Sequence, residues 1–66
     1  MAFEEKETFR EIRKSKGMSV NFVAGYLNIL PQSLSQRELG QVEFTGVETQ
    51  KLCVLYDVPI TKVLLN

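Results

Sequence analysis

Sixty-six residues carry eight Lys and Arg against eight Asp and Glu, with no His, no Trp and one Cys, and a chain of this size is expected to form one small domain over 1–66, burying roughly 60% of its unfolded surface. Without His, the side chain most used for acid-base work and metal binding near neutral pH is missing. A single thiol makes neither an intramolecular disulfide nor a Cys-rich zinc site, so no enzyme, no metal and no cofactor is expected.

The apolar and charged fractions, 44% and 24%, match ordinary globular usage, which argues against disorder. Met1 to Glu7 has neither the basic nor the apolar region of a signal peptide,. No apolar run approaches the ~18 residues of a membrane span. The unpaired thiol favours a reducing cytoplasm.

In chain order, the pattern predicts helices throughout. The first spans Glu4 to Ser15, with Phe9 and Ile12, and Phe3 before them, as its apolar edge, and it stops at Gly17,. Ser19 caps a second helix to Leu27, with Val23, Ala24 and Leu27 inward, and Asn28 ends it in the left-handed conformation that Asn tolerates,. Pro31 opens a third helix to Leu39, closed by Gly40, with Leu30 offering no capping oxygen,. Thr45-Gly46-Val47-Glu48 has the spacing of a capping box and opens a fourth helix to Tyr56,. Pro59 starts a short fifth through Val63, Leu64 and Leu65. The expected fold is all-α, five short helices with short connections.

The informative stretch is Ser19 to Gly40, two short helices about four residues apart with Ala24 small enough to let them cross closely. This is the sequence form of a helix-turn-helix, whose second helix can lie in the DNA major groove. Many helical hairpins share the spacing. More specific is an ordered set over one domain length: Arg10 to Ser19, then Ala24, Leu27, Ile29, Gln32 to Gln36, Glu38 and Gly40, and finally Leu52 to Ile60. It resembles the helix-turn-helix domain of the phage Cro and repressor type, the Xre family, from about Phe9 to Leu64.

That resemblance implies a compact, lambda-repressor-like five-helix DNA-binding fold, usually a transcriptional regulator and usually dimeric on a two-fold operator. It places Gln32 and Gln36 where such repressors touch base edges. The two are four apart and so share a helical face, and Gln pairs bidentately with adenine. Ser33 stands beside them, within reach of a base or a phosphate. The plain alternative for all three is solvated helix surface. Arg13 and Glu38 match an ion pair tying the first helix to the end of the third, a structural role, against the alternative of an exposed pair worth about 0–1 kcal/mol.

The departures from the family's pattern carry expectations too. Arg37 replaces a usual apolar residue and is read as a phosphate clamp, the alternative being a solvent-facing Arg without consequence. Pro31 removes a base-contacting side chain and Val20 a phosphate-anchoring one, leaving Ser19, Asn21 and the helix's first amides to hold the DNA backbone. Val20, Phe22, Tyr26, Leu30, Leu39, Val42 and Phe44 are apolar where the family is polar. If several share a face they form a docking patch; otherwise the third helix packs so as to bury them. Val54, Val58, Val63, Leu64 and Leu65 exceed what so small a core covers, and a dimer interface would absorb them. Cys53 is expected as a small buried hydrophobe.

The reading is a cytoplasmic repressor-like regulator binding a double-stranded operator as a homodimer, with the helix over 31–39 in the groove. The rival is a protein-interaction module, an antirepressor or co-regulator on the same scaffold, docking another regulatory protein through Val20, Phe22, Tyr26 and Phe44. Net charge bears on the choice. Nucleic-acid binders usually carry a basic excess, whereas this chain is neutral and between Gly17 and Lys51 has one cation, Arg37.

Overall fold

In a computed structural model, which describes residues 6–65, the chain forms α1 (Phe9–Ser15), α2 (Val20–Leu27), α3 (Pro31–Glu38) and α4 (Gly46–Tyr56), followed by a single 3₁₀ turn, Ile60–Lys62. The class is the expected one, all-helical. The count is four α-helices rather than five, because the segment after Pro59 makes only that turn.

Beyond the turn the backbone is extended, not helical. Val63 lies in a parallel bridge with Glu7, where Glu7 donates to the Lys62 carbonyl at 3.1 Å and accepts from the Leu64 amide at 2.8 Å. The same contact explains why α1 begins five residues later than the pattern suggests. Glu7 is drawn into the bridge, and Thr8 becomes the cap: its hydroxyl accepts from the Glu11 amide while the Glu11 carboxylate accepts from the Thr8 amide. Phe3, Glu4 and Glu5, also assigned to this helix from the sequence, lie outside the described residues.

The other helix ends follow their local chemistry. Ser19 accepts from the Phe22 amide at 3.0 Å and starts α2, and Asn28 ends it at φ 59°. Gly40, at φ 81°, takes the chain out of α3 in a conformation that would strain a side chain. The Thr45–Glu48 box starts α4, and Asp57, left-handed at φ 55°, ends it.

The core collects one or more side chains from every helix: Phe9 and Ile12, Val23, Ala24 and Leu27, Leu34, Leu52 and Tyr56, with Val63 from the extended tail. Ala24 has no exposed surface, as the close approach of α2 and α3 demands. Phe44, from the loop between α3 and α4, stands edge-on to Phe9 with ring centroids 5.1 Å apart, a geometry worth about 0.5–1.5 kcal/mol beyond its burial. Phe44 and Val20 therefore leave the proposed docking patch and pack against the core. Cys53 is half-buried, and burial pushes its thiol up, away from the reactive thiolate,.

Tyr56 is buried within electrostatic reach of the Arg13–Glu38 pair. It is 1% exposed, and its hydroxyl has no hydrogen-bond partner among the described residues. Burial, reinforced by the negative charge of Glu38, pushes its phenol up from 10 to about 12. The folded state thus holds this proton more tightly than the unfolded chain does. The resulting contribution to stability is whole below pH 10 and falls as pH rises from about 10 to about 12,. Tyr56→Phe is expected to match or exceed the parent's stability near neutrality and to lose less on alkalinisation. Paired thermal melts across this range check it, and parallel declines in the two proteins would refute it.

Candidate nucleic-acid interface

The geometry that matters is the orientation of α3. Its buried side chains are Leu34 and Glu38, one turn apart and therefore on one face. Gln32 and Gln36, also one turn apart, fall on the opposite side of the same helix: Gln32 is exposed and Gln36 half-buried. Ser33, on the flank, is half-buried. The structure thus brings these three polar side chains together on one short helix whose other side is anchored in the core. The carbonyl of Gln36 also accepts from the Gln41 and Val42 amides at 3.0 and 3.3 Å, tying the following loop to the helix end.

One anchor is electrostatic. Arg13 donates from Nε to Glu38 Oε2 at 2.8 Å, from a terminal nitrogen to Glu38 Oε1 at 3.2 Å, and from the other terminal nitrogen to the Met18 carbonyl at 3.0 Å. The two side chains are 9% and 4% exposed, so this is a buried bidentate bridge. The hydrogen bond to Glu38 holds the guanidinium above its already high pKa. It joins α1 to the C-terminal end of α3 and also fixes the turn leading into α2.

Arg37, read from the sequence as a phosphate clamp, is engaged within the fold in this structure. Its Nε donates to Glu48 Oε1 at 2.9 Å and a terminal nitrogen donates to the Ser33 carbonyl at 3.1 Å, and the side chains of the pair are only 17% and 11% exposed. The cause is the fourth helix's cap. Glu48 Oε1 already accepts from the Thr45 amide at 3.0 Å, which holds a carboxylate beside the flank of α3, and the guanidinium turns onto it. Arg37 is a brace between α3 and α4 in this conformation. The sequence carries a signal for this, since the capping box fixes where Glu48 must lie, but the pairing across eleven residues has no local signature.

Ser19 and Asn21 stand on another element, the start of α2, and both are exposed. The Ser19 hydroxyl is engaged as the cap on the Phe22 amide, leaving the amides of Val20 and Asn21, which an α-helix cannot satisfy internally. Such a terminus favours an anion.

Besides Leu39 and Val42, just after α3, and Val47 at the start of α4, the exposed apolar side chains fall into two groups. Phe22, Tyr26 and Leu30, at 56%, 41% and 70% exposure, belong to α2 and the turn into α3. Val54, Ile60, Leu64 and Leu65 belong to α4 and the tail; Val54, Ile60 and Leu65 also line an open groove of about 980 Å³ with Phe44 and Val58. Val63, expected among the exposed set, is instead 4% exposed. Among the described residues no helix is long and apolar enough to cross a membrane.

No curated protein and no solved structure gives a significant match to this chain. A helix-turn-helix family model does, over residues 9–63. With α2 and α3 crossing at Ala24 and the polar face of α3 turned outward, the chain belongs to the Cro and repressor type of helix-turn-helix family, a DNA-binding regulator.

Proposed function

We propose that this chain is a sequence-specific, repressor-like transcriptional regulator that acts in the cytoplasm, as a homodimer on a double-stranded operator. In this reading α3 enters the major groove, Gln32 and Gln36 read base edges, Ser33 holds a base or phosphate, and Ser19 and Asn21 with the α2 amides hold the DNA backbone. The observation that carries it is the two-sided character of α3, with the exposed Gln32 and the half-buried Gln36 opposite the buried Leu34 and Glu38. The exposed apolar side chains of α4 and the tail support a second copy as the occupant of that face.

Fluorescence anisotropy against the protein's own upstream DNA over a salt series is the test. Each phosphate neutralised contributes a log-log slope of about −0.9. With Arg37 drawn onto Glu48, the slope should correspond to few phosphates. Gln36→Ala should relax preference at one or two base pairs, by about 1–3 kcal/mol, without changing the melting temperature. Absence of binding at low salt, or indifference to Gln32→Ala and Gln36→Ala together, overturns groove reading.

A second reading has its own observation. Phe22 and Tyr26 lie one turn apart on α2 and remain exposed, which fits a surface docking another regulatory protein. A heteromeric complex abolished by Phe22→Ala with Tyr26→Ala, from a chain that binds no DNA, would favour it.

A further inference from the structure

The groove-reading face is defined as much by what it lacks. From Met18 to Gln36 there is no charged residue. The two charged residues at the end of α3 are both engaged within the fold, Glu38 by Arg13 and Arg37 by Glu48. Guanine is read in the major groove chiefly by a cationic side chain on O6 and N7, and cytosine by a carboxylate on its amino group. Neither group is free on this helix. What remains are amides and hydroxyls, suited to adenine N6 and N7, and, at the N-terminal end of the helix, a large apolar side chain that the fold does not use, Leu39 being its exposed counterpart at the far end,.

That side chain is Leu30. It is the N-cap of α3, contributes no capping hydrogen bond, and at 70% exposure is buried by nothing in the described fold. It precedes Gln32 by two residues, at the helix end whose residues meet base edges in helix-turn-helix complexes. The apolar feature a base pair presents in the major groove is the C5 methyl of thymine. We propose that Leu30 is a further base-reading residue, seated on a thymine methyl beside the adenine-reading Gln32, so that α3 selects A·T-rich half-sites. The inference rests on the groove-reading function proposed above. It gives a place to an exposed leucine at the mouth of the recognition helix and explains how a face without a free cation can still be selective.

The experiment is selection from a randomised duplex library at low salt, followed by anisotropy on the winning duplex with thymine replaced by uracil, which removes only the methyl and keeps the pairing edge. The selected half-sites should be A·T-rich. The uracil duplex should bind about fourfold more weakly, the worth of one buried methyl-sized group. Leu30→Ala should lose a similar factor on the thymine duplex and become indifferent to the swap, with an unchanged melting temperature because the residue is exposed. Half-sites dominated by G·C, or a parent protein indifferent to uracil, overturn the role of Leu30 while leaving DNA reading intact. If no duplex is selected at all, both this inference and the groove-reading function fall.

Discussion

Glu38→Ala is expected to destabilise the fold by about 3–5 kcal/mol, the cost of leaving one partner of a buried ion pair uncompensated. Arg13, 7% exposed, would keep its charge and its burial while retaining only the Met18 carbonyl as a partner. A domain of 66 residues holds roughly 3–10 kcal/mol in total, so much of this variant should be unfolded at physiological temperature. Urea unfolding measures the loss. Replacing both partners, Arg13→Met with Glu38→Leu, should recover most of it, since apolar side chains of similar volume fill such sites at no net cost. A loss below about 1 kcal/mol for Glu38→Ala would equate the pair with an ordinary surface bridge, and the end of α3 would then have no electrostatic anchor on α1.

Most of the architecture is legible in the residues because its signals are local. Ser19, Asn28, Gly40 and the Thr45–Glu48 box each act within one turn of helix, and all four place their helix ends where the structure has them. The start of α1 carries a local signal too, since Thr8-Phe9-Arg10-Glu11 has the same capping spacing as Thr45 to Glu48, but it is not where the charge pattern puts it. The run of charged residues before it, which suits a helix by propensity, conceals that boundary.

The features that sequence does not expose are those joining distant segments. The bridge from Glu7 to Val63 converts both ends of the expected helical pattern into extended chain. The seating of Phe44 on Phe9 turns a supposed docking residue into a core residue. The capture of Arg37 by Glu48 withdraws the cation on which a phosphate contact was to rest. For the candidate site, the faces of Gln32 and Gln36 follow from helical periodicity alone, whereas the withdrawal of Arg37 depends on the packing of α4. Net neutrality is thereby sharpened. The one cation on α3, which carries the proposed reading face, is spent within the fold, and in the proposed reading specificity comes from amides and apolar contact.

Leu34→Ala should cost about 2–5 kcal/mol, the range for deleting a fully buried leucine side chain, and the loss should be concentrated in α3. Leu34 has no exposed surface and is the single apolar side chain that α3 buries, Glu38 being the other inward residue. Without it the helix is anchored at its C-terminal end by the ion pair and along its flank by Arg37, but its N-terminal turns, which carry Gln32 and Ser33, lose their hold on the core. Leu52, equally buried, provides the control, because α4 buries Tyr56 and Glu48 as well. Both alanine variants should lower global stability. In Leu34→Ala, however, α3 amides should exchange with solvent faster than those of α4, as a segment does when it opens below the global unfolding free energy; in Leu52→Ala the two helices should keep their parent order. DNA affinity should follow α3 protection rather than the melting temperature, separating Leu34→Ala from Gln36→Ala, which removes the proposed groove contact while changing stability by no more than about 0.5 kcal/mol. Equal protection of α3 and α4 in Leu34→Ala would mean that the ion pair alone positions the recognition helix, and that its N-terminal turns need no apolar anchor.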